Sequence, residues 1–277
     1  MANARILYAN AADLATLVAS SEASASYAVA NLQSDIKSSV WRSTGTTEYF
    51  TATWTADQPI GGVVLPFTYL SATATMRVRL YDASSTLLLD TGTNLAVPGG
   101  PPDLWGWTAA QLNSNSFGYG GGAYARAWFT QTSARSLRVD IVDTSNPQGY
   151  LEVGRLVAGP YWQMSKNPDY GLQWTPAVDT SKHYRTDGGN LATDVGTKHR
   201  KQVVPLTMLT VAERNTFWSI IYTNSLARPI LFSLFPDESG DPIGEQMGMV
   251  YGKFMQSPAT NLPSFRNYVS SMEIEEI

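Results

Sequence analysis

Tyr49-Phe50-Thr51-Ala52-Thr53-Trp54-Thr55 is the stretch that decides the fold. Phe50, Ala52 and Trp54 fall on one side, and the threonines fall on the other. This is the period-two signature of a half-buried β-strand. Working outward, residues 60–67 form an apolar run opened by Gly61-Gly62, the pattern of a strand buried on both faces. In 75–82, Met76, Val78 and Leu80 alternate with Thr75, Arg77, Arg79 and Tyr81, and the turn Ala83-Ser84-Ser85 leads into a short strand at 86–90. Strands return at 125–130 and at 136–142, where Leu137, Val139 and Ile141 alternate with Arg138 and Asp140; a turn at 143–149 then leads into 150–158. Short strands at this spacing, separated by turn residues, predict an antiparallel sandwich or jelly roll over residues 1–160.

Between 160 and 200 the chain is rich in turns, with Asn167-Pro168-Asp169-Tyr170-Gly171 and Asp187-Gly188-Gly189-Asn190, and a domain junction or long excursion is expected there. A second unit follows. Residues 201–206 read as a strand. Thr210 with Glu213 three residues on is a capping box, and it opens a helix that runs to about Asn224 with Phe217, Trp218, Ile220 and Ile221 on its packed face. Residues 230–235 form an apolar strand buried on both faces, 247–255 another, and 269–277 closes the chain with Met272 and Ile274 alternating against Glu273 and Glu275. The second unit is thus about four strands with one packed helix. The sequence contains no internal repeat.

Composition narrows the function. The chain has 277 residues, enough for one large domain or two of ordinary size. Only 15% of residues are charged, against ~25% in an average soluble protein. Twenty-six serines and 27 threonines take up the difference, a surface chemistry of β-rich binding and structural proteins. Net charge is −4, and each side of residue 160 carries −2, so there is no electrostatic footprint for nucleic acid. The absence of cysteine excludes disulfides, Cys-ligated metal and thiol nucleophiles. No apolar run approaches the ~18 residues that span a bilayer, and no signal sequence is read at the start.

The residues that carry catalysis elsewhere are sparse here. His183 and His199 have no partner pattern and are expected to be ordinary surface or interface residues, His199 lacking an orienting carboxylate. The run 198–201 is expected to be a solvated strand start. Gly118–Gly122 precedes a strand rather than a helix, which argues against a phosphate loop. Asp237, Glu238, Asp241 and Glu245 around Gly240 lack regular calcium-loop spacing and are expected at a hairpin tip. The chain is therefore expected not to be an enzyme and to hold no metal or cofactor. The aromatics say more. Trp54 and Trp218 are expected in the core. Trp105 and Trp107, with Tyr119 nearby, lie among Pro and Gly, where flat rings suit a sugar or a protein surface, or else form a small core beneath a long loop.

Ile6-Leu7-Tyr8, Leu17-Val18-Ala19-Ser20-Ser21-Glu22, Ala30-Asn31-Leu32-Gln33 and Trp41-Arg42-Ser43 together resemble the opening of the discoidin-like (coagulation factor type C) jelly roll. Leu137-Arg138-Val139-Asp140-Ile141 and residues 151–159 resemble its final strands. The insert at 98–123 and the missing terminal cysteines depart from that family. In residues 161–277, Val203-Val204-Pro205-Leu206, the helix, Arg228-Pro229-Ile230-Leu231-Phe232, Val250-Tyr251-Gly252 and Met272-Glu273-Ile274-Glu275-Glu276 resemble the sandwich-plus-helix unit of tailed-bacteriophage tail-tube and distal-tail proteins.

The resemblance implies a mainly β chain: a jelly roll at 1–160, then a smaller β-sandwich with one packed helix at 161–277. It implies a structural component of a phage tail tip or baseplate, located in the virion and made in the bacterial cytoplasm. That component would form a homo-oligomeric ring beside tail-tube, tape-measure and hub proteins. Tyr170, Trp174, His183, Tyr184 and Arg185 in the 160–200 excursion are the expected interface residues. The alternative is an adhesin that reads host glycans through Trp105, Trp107 and Tyr119. Neither reading involves nucleic acid or membrane insertion.

Overall fold

The computed structural model describes residues 2–277 except 72, 98–122, 169–170, 238–239 and 265–266. The protein is mainly β, built from two large antiparallel sheets, a separate two-stranded hairpin and few helices. The Tyr49 stretch lies in a strand that runs from Thr47 to Tyr69 and pairs along its length with Ala123–Val142. The segments read from sequence as 49–55 and 60–67 are therefore one strand, and so are 125–130 and 136–142. Pairing breaks register between Thr53 and Gln58. Phe50, Ala52 and Trp54 on one side of that break share a core with Ile60, Val63 and Leu65 on the other, so the ribbon folds over on itself to make both walls of a jelly-roll sandwich. Trp41 meets Phe50 edge to face at 5.5 Å, and the Trp54 Nε1–H donates to the Ala11 carbonyl at 2.7 Å.

The second sheet orders its strands as Tyr161–Gln163, Arg5–Leu7, Ile230–Ser233, Met249–Phe254, Asn267–Glu276, Lys198–Leu209 and Gln173–Asp179. The Arg5–Leu7 strand is the departure from the 1–160 boundary. It does not open the jelly roll but pairs with Tyr161–Gln163 on one side and Ile230–Ser233 on the other. Alternation then sends side chains two ways. Ile6, Phe232, Val250, Val204 and Met272 pack under helix α1 (Val211–Asn224), which contributes Phe217 and Ile220. Leu7, Leu231, Met249 and Tyr251 pack against Val64, Phe67 and Tyr124 of the jelly roll. This is why 60–67 reads as continuously apolar: Val63 and Leu65 face the first core, and Val64 and Phe67 face the second unit.

The capping box at Thr210 and Glu213 forms as expected. Three expectations are corrected. Trp218 is not in the core but 46% exposed, with its Nε1–H donating to Thr260 Oγ1 at 2.9 Å. The acidic stretch near Gly240 leads into a short helix α2 (Pro242–Met247), capped by Asp241, which turns Glu245 inward. Finally, the 160–200 excursion, expected as an extended turn-rich loop, carries four complete strands.

Candidate assembly arm and its anchorage

Gln173–Asp179 and Lys198–Leu209 pair at the outer margin of the second sheet, and the chain between them continues into the separate two-stranded hairpin. Thr180 N–H donates to the Thr197 carbonyl at 3.0 Å, and Lys182–Arg185 then pairs with Leu191–Asp194. Residues 180–185, of which Lys182–Arg185 are strand, span about 20 Å when extended. A β-carbon on Gly196 would stand 2.3 Å from Thr180 Oγ1, so only glycine lets the two strands cross there. At the tip, Gly189 sits at φ +81 and its N–H donates to the Thr186 carbonyl at 2.8 Å, a turn that favours glycine.

Nothing among the described residues covers this hairpin. Lys182–Arg185 is exposed throughout, including Tyr184 at 57%, and Leu191 is 62% exposed on the facing strand. His183 Nδ1 lies 2.9 Å from Thr193 Oγ1, and Arg185 Nη1 donates to the Gly189 carbonyl at 2.9 Å. The sequence-predicted His183, Tyr184 and Arg185 thus stand together on the arm. Trp174 does not. It lies at the arm's root, half-buried, edge to face with Phe235 at 5.7 Å. Tyr170, Trp105, Trp107 and Tyr119 lie outside the described residues.

The root is fastened by polar contacts to the last strand. Lys201 Nζ lies 2.5 Å from Glu273 Oε1, and His199 Nε2 lies 3.0 Å from Glu275 Oε1. The carboxylate that His199 lacks in the local sequence comes from a neighbouring strand. Arg200, expected in a solvated run, is instead buried. Its Nη1 donates to the carbonyls of Gln246 and Met249 at 2.8 and 2.9 Å, and its guanidinium lies over the Tyr124 ring at 4.4 Å.

Tyr124 is the hub of a polar junction between the two units. Its hydroxyl donates to Glu276 Oε1 at 2.7 Å and accepts from Tyr251 N–H at 3.1 Å. Gln246 binds both the Tyr124 N–H and its carbonyl, at 2.9 and 3.2 Å. Lys37 Nζ reaches Glu276 Oε2 at 3.2 Å. Burial, and then the Glu276 charge, hold the Tyr124 phenol well above its ordinary range. Nearby, Arg126 grips Glu245 with two bonds of 2.6 and 3.0 Å. Arg155 contacts Tyr251 Oη at 3.1 Å, Asp13 at 2.7 Å and Asp35 at 3.1 Å. No local pattern announces this junction, because its partners lie about a hundred residues or more apart in sequence.

A second cluster lies on the jelly roll. The Arg42 guanidinium stands 4.0 Å from the Tyr27 ring and 4.5 Å from the Tyr150 ring. Glu152 Oε2 fixes it through bonds of 2.9 and 2.7 Å. In the sequence, Trp41-Arg42 carries only a fold pattern. Among the described residues, no group of three or more His, Asp or Glu is arranged to hold a metal ion, and no helix is long and apolar enough to cross a membrane.

No protein-family model matches the chain, and no curated protein matches it at a significant level. Solved structures similar to it include chitosan-binding module 1 of a Paenibacillus sp. IK-5 chitosanase/glucanase, at 16% identity and TM-score 0.38, covering 55% of this chain and 99% of that one. A Streptococcus pneumoniae fucose-binding module aligns at 12% identity and TM-score 0.38, covering 55% and 95%. The lectin domain of lectinolysin, solved with Lewis B antigen, aligns at 15% identity and TM-score 0.38, covering 57% and 98%. Each of these three is a carbohydrate-binding module or a lectin domain.

Proposed function

We propose that the chain is a structural subunit of a bacteriophage tail tip or baseplate. In this reading it associates side by side with copies of itself through the second unit and carries the jelly roll outward. The observation that supports assembly most is the hairpin arm. A two-stranded hairpin is marginal by itself in water, and this one exposes Tyr184 and Leu191 with no core behind it. An arm of about 20 Å is long enough to reach across to an adjacent subunit. The proposal also draws on the tail-protein pattern in residues 203–276. Low charge fits it too, since the cores of permanent interfaces are depleted in Lys and Glu. Electron microscopy of the purified chain tests the reading: closed rings are expected, and separate single particles alongside purified tail-tube protein would sink it.

A second reading, recognition of host glycans, is favoured by the Tyr27–Arg42–Tyr150 stack, which sets two part-exposed aromatic rings and an arginine together on the jelly roll. In this reading Tyr150→Ala and Trp105→Ala abolish binding on a glycan array and leave assembly intact. An array silent with the unaltered protein removes it.

A further inference from the structure

The tip of the arm joins an aspartate to a glycine in a turn that nothing supports. Of the 14 aspartates in the chain, Asp187 alone is followed by glycine, and no asparagine is. Residues 186–190 are all exposed. Asp187 and Gly188 occupy the two central positions of a β-turn, closed by the Gly189 N–H on the Thr186 carbonyl at 2.8 Å. The Thr186 N–H donates to the Asn190 carbonyl at 2.9 Å. Among the described residues, the Asp187 carboxylate and the Gly188 N–H have no partner. Most other aspartates are held. Asp82 accepts from the Ser84 and Thr86 N–H groups, Asp90 from Arg77 and Gly92, and Asp179 from Ser181. Asp194, on the facing strand of the same arm, is the informative exception. It is as exposed and unbonded as Asp187, but the β-branched Val195 follows it.

An aspartyl carboxyl and the amide nitrogen of the next residue are one bond short of a five-membered ring. When the Gly188 nitrogen attacks Asp187 Cγ, the N–Cγ bond forms and a carboxyl C–O bond breaks. The hydroxyl leaves with the amide proton as water, and a cyclic imide remains. Water then reopens the ring. Addition at Cγ restores aspartate. Addition at the Asp187 main-chain carbonyl carbon breaks its bond to the Gly188 nitrogen, and the chain then runs through Cγ as isoaspartate. Two features of the tip favour ring closure. Glycine has no side chain to shield the attacking nitrogen or to restrict its rotation. Closure also needs the Asp187 backbone to rotate out of the turn, which breaks the Gly189–Thr186 bond. A two-stranded hairpin with no core behind it opens at low cost.

We infer that Asp187-Gly188 is a site of spontaneous modification, at which the chain passes through a cyclic imide to an exposed isoaspartate. The product carries one extra main-chain carbon inside the turn, so the turn bond no longer closes and the hairpin loosens from its tip. This goes beyond the assembly reading and does not rest on it. The test uses the full-length protein, held at neutral pH and physiological temperature for several weeks and then digested with trypsin. Cleavage after Arg185 and Lys198 releases residues 186–198, so Asp187 and its control Asp194 lie in one peptide. Electron-transfer fragmentation in a mass spectrometer then distinguishes isoaspartate at either position. Isoaspartate is expected to accumulate at 187 and not at 194. Protein L-isoaspartyl methyltransferase should transfer methyl groups to the aged chain and not to the fresh one. Gly188→Ala is the matched variant: a β-carbon there meets only Thr186 Oγ1, at 4.0 Å, so the turn accepts it. That variant should keep its circular dichroism and convert severalfold more slowly. An aged chain without isoaspartate at 187, equal conversion at 187 and 194, or a Gly188→Ala protein that converts as fast as the original overturns the inference.

Discussion

Tyr124 shows how much a single side chain does here. Its hydroxyl ties Glu276 of the last strand to the Tyr251 backbone, inside a wall between two apolar cores. Removing that oxygen leaves a buried carboxylate and an N–H each short of a partner. Tyr124→Phe should therefore cost about 1–3 kcal/mol in urea unfolding without a change in slope; an unchanged midpoint would contradict the junction's role. Residues whose environment is set by near neighbours were legible from sequence. Trp54 alternates within its strand and is buried; Thr210 and Glu213 cap a helix. Residues set by distant partners were not. Glu245 reads as part of an acidic loop, because Arg126, its partner, lies 119 positions away. Trp218 reads as core, because helical spacing alone does not tell which side of a two-faced apolar helix is covered.

At the scale of elements, the N-terminus of α1 carries a pH signature. Burial pushes the Glu213 carboxyl upward, but bonds from Ser165 N–H and from the Thr210 N–H and hydroxyl outweigh it and bring the group down to about 2. The unfolded value is about 4.3. The folded form thus binds the proton more weakly, so the stabilisation is full above about 4.3 and is lost as pH falls toward 2. Amide exchange in the first turn of α1 should accelerate through that window, and Glu213→Gln should flatten the dependence while leaving the turn less protected at neutral pH. No change in exchange across the window would refute it. Element existence was largely legible because period two survives in nearly every strand. Continuity was not. The 47–69 strand reads as two because the first of its three register breaks, between Thr53 and Gln58, falls where alternation lapses. The arm reads as loop because neither of its faces is packed, so it lacks the alternation that burial imposes.

For the whole molecule, the two units are folded into one another. The strand at Arg5–Leu7 completes the second sheet, and the jelly-roll wall covers that sheet's inner face. A fragment of residues 161–277 therefore lacks a strand and exposes Leu231, Met249 and Tyr251. It should be insoluble or unfolded when expressed alone, whereas the full chain should unfold in one cooperative calorimetric transition. A soluble fragment with a sharp transition of its own would contradict this interlock. In the sequence the boundary falls at 160 because turn residues cluster from there to 200. A three-residue strand at the far end of the chain gives no signal of which sheet it joins. The interlock bears on function as well, since it fixes the arm and the Tyr27–Arg42–Tyr150 cluster in one frame.

The mass of the purified chain, compared with that of a variant in which residues 180–197 are replaced by a short turn, tests arm-borne assembly most directly. Light scattering over a range of concentrations should show the intact protein as an oligomer larger than a dimer. The shortened protein should fall to dimer or monomer with its circular dichroism otherwise preserved. An intact chain that stays at dimer or monomer mass at every concentration, with or without its tail-tube neighbour, or a shortened one that assembles as fully as the original, would contradict it.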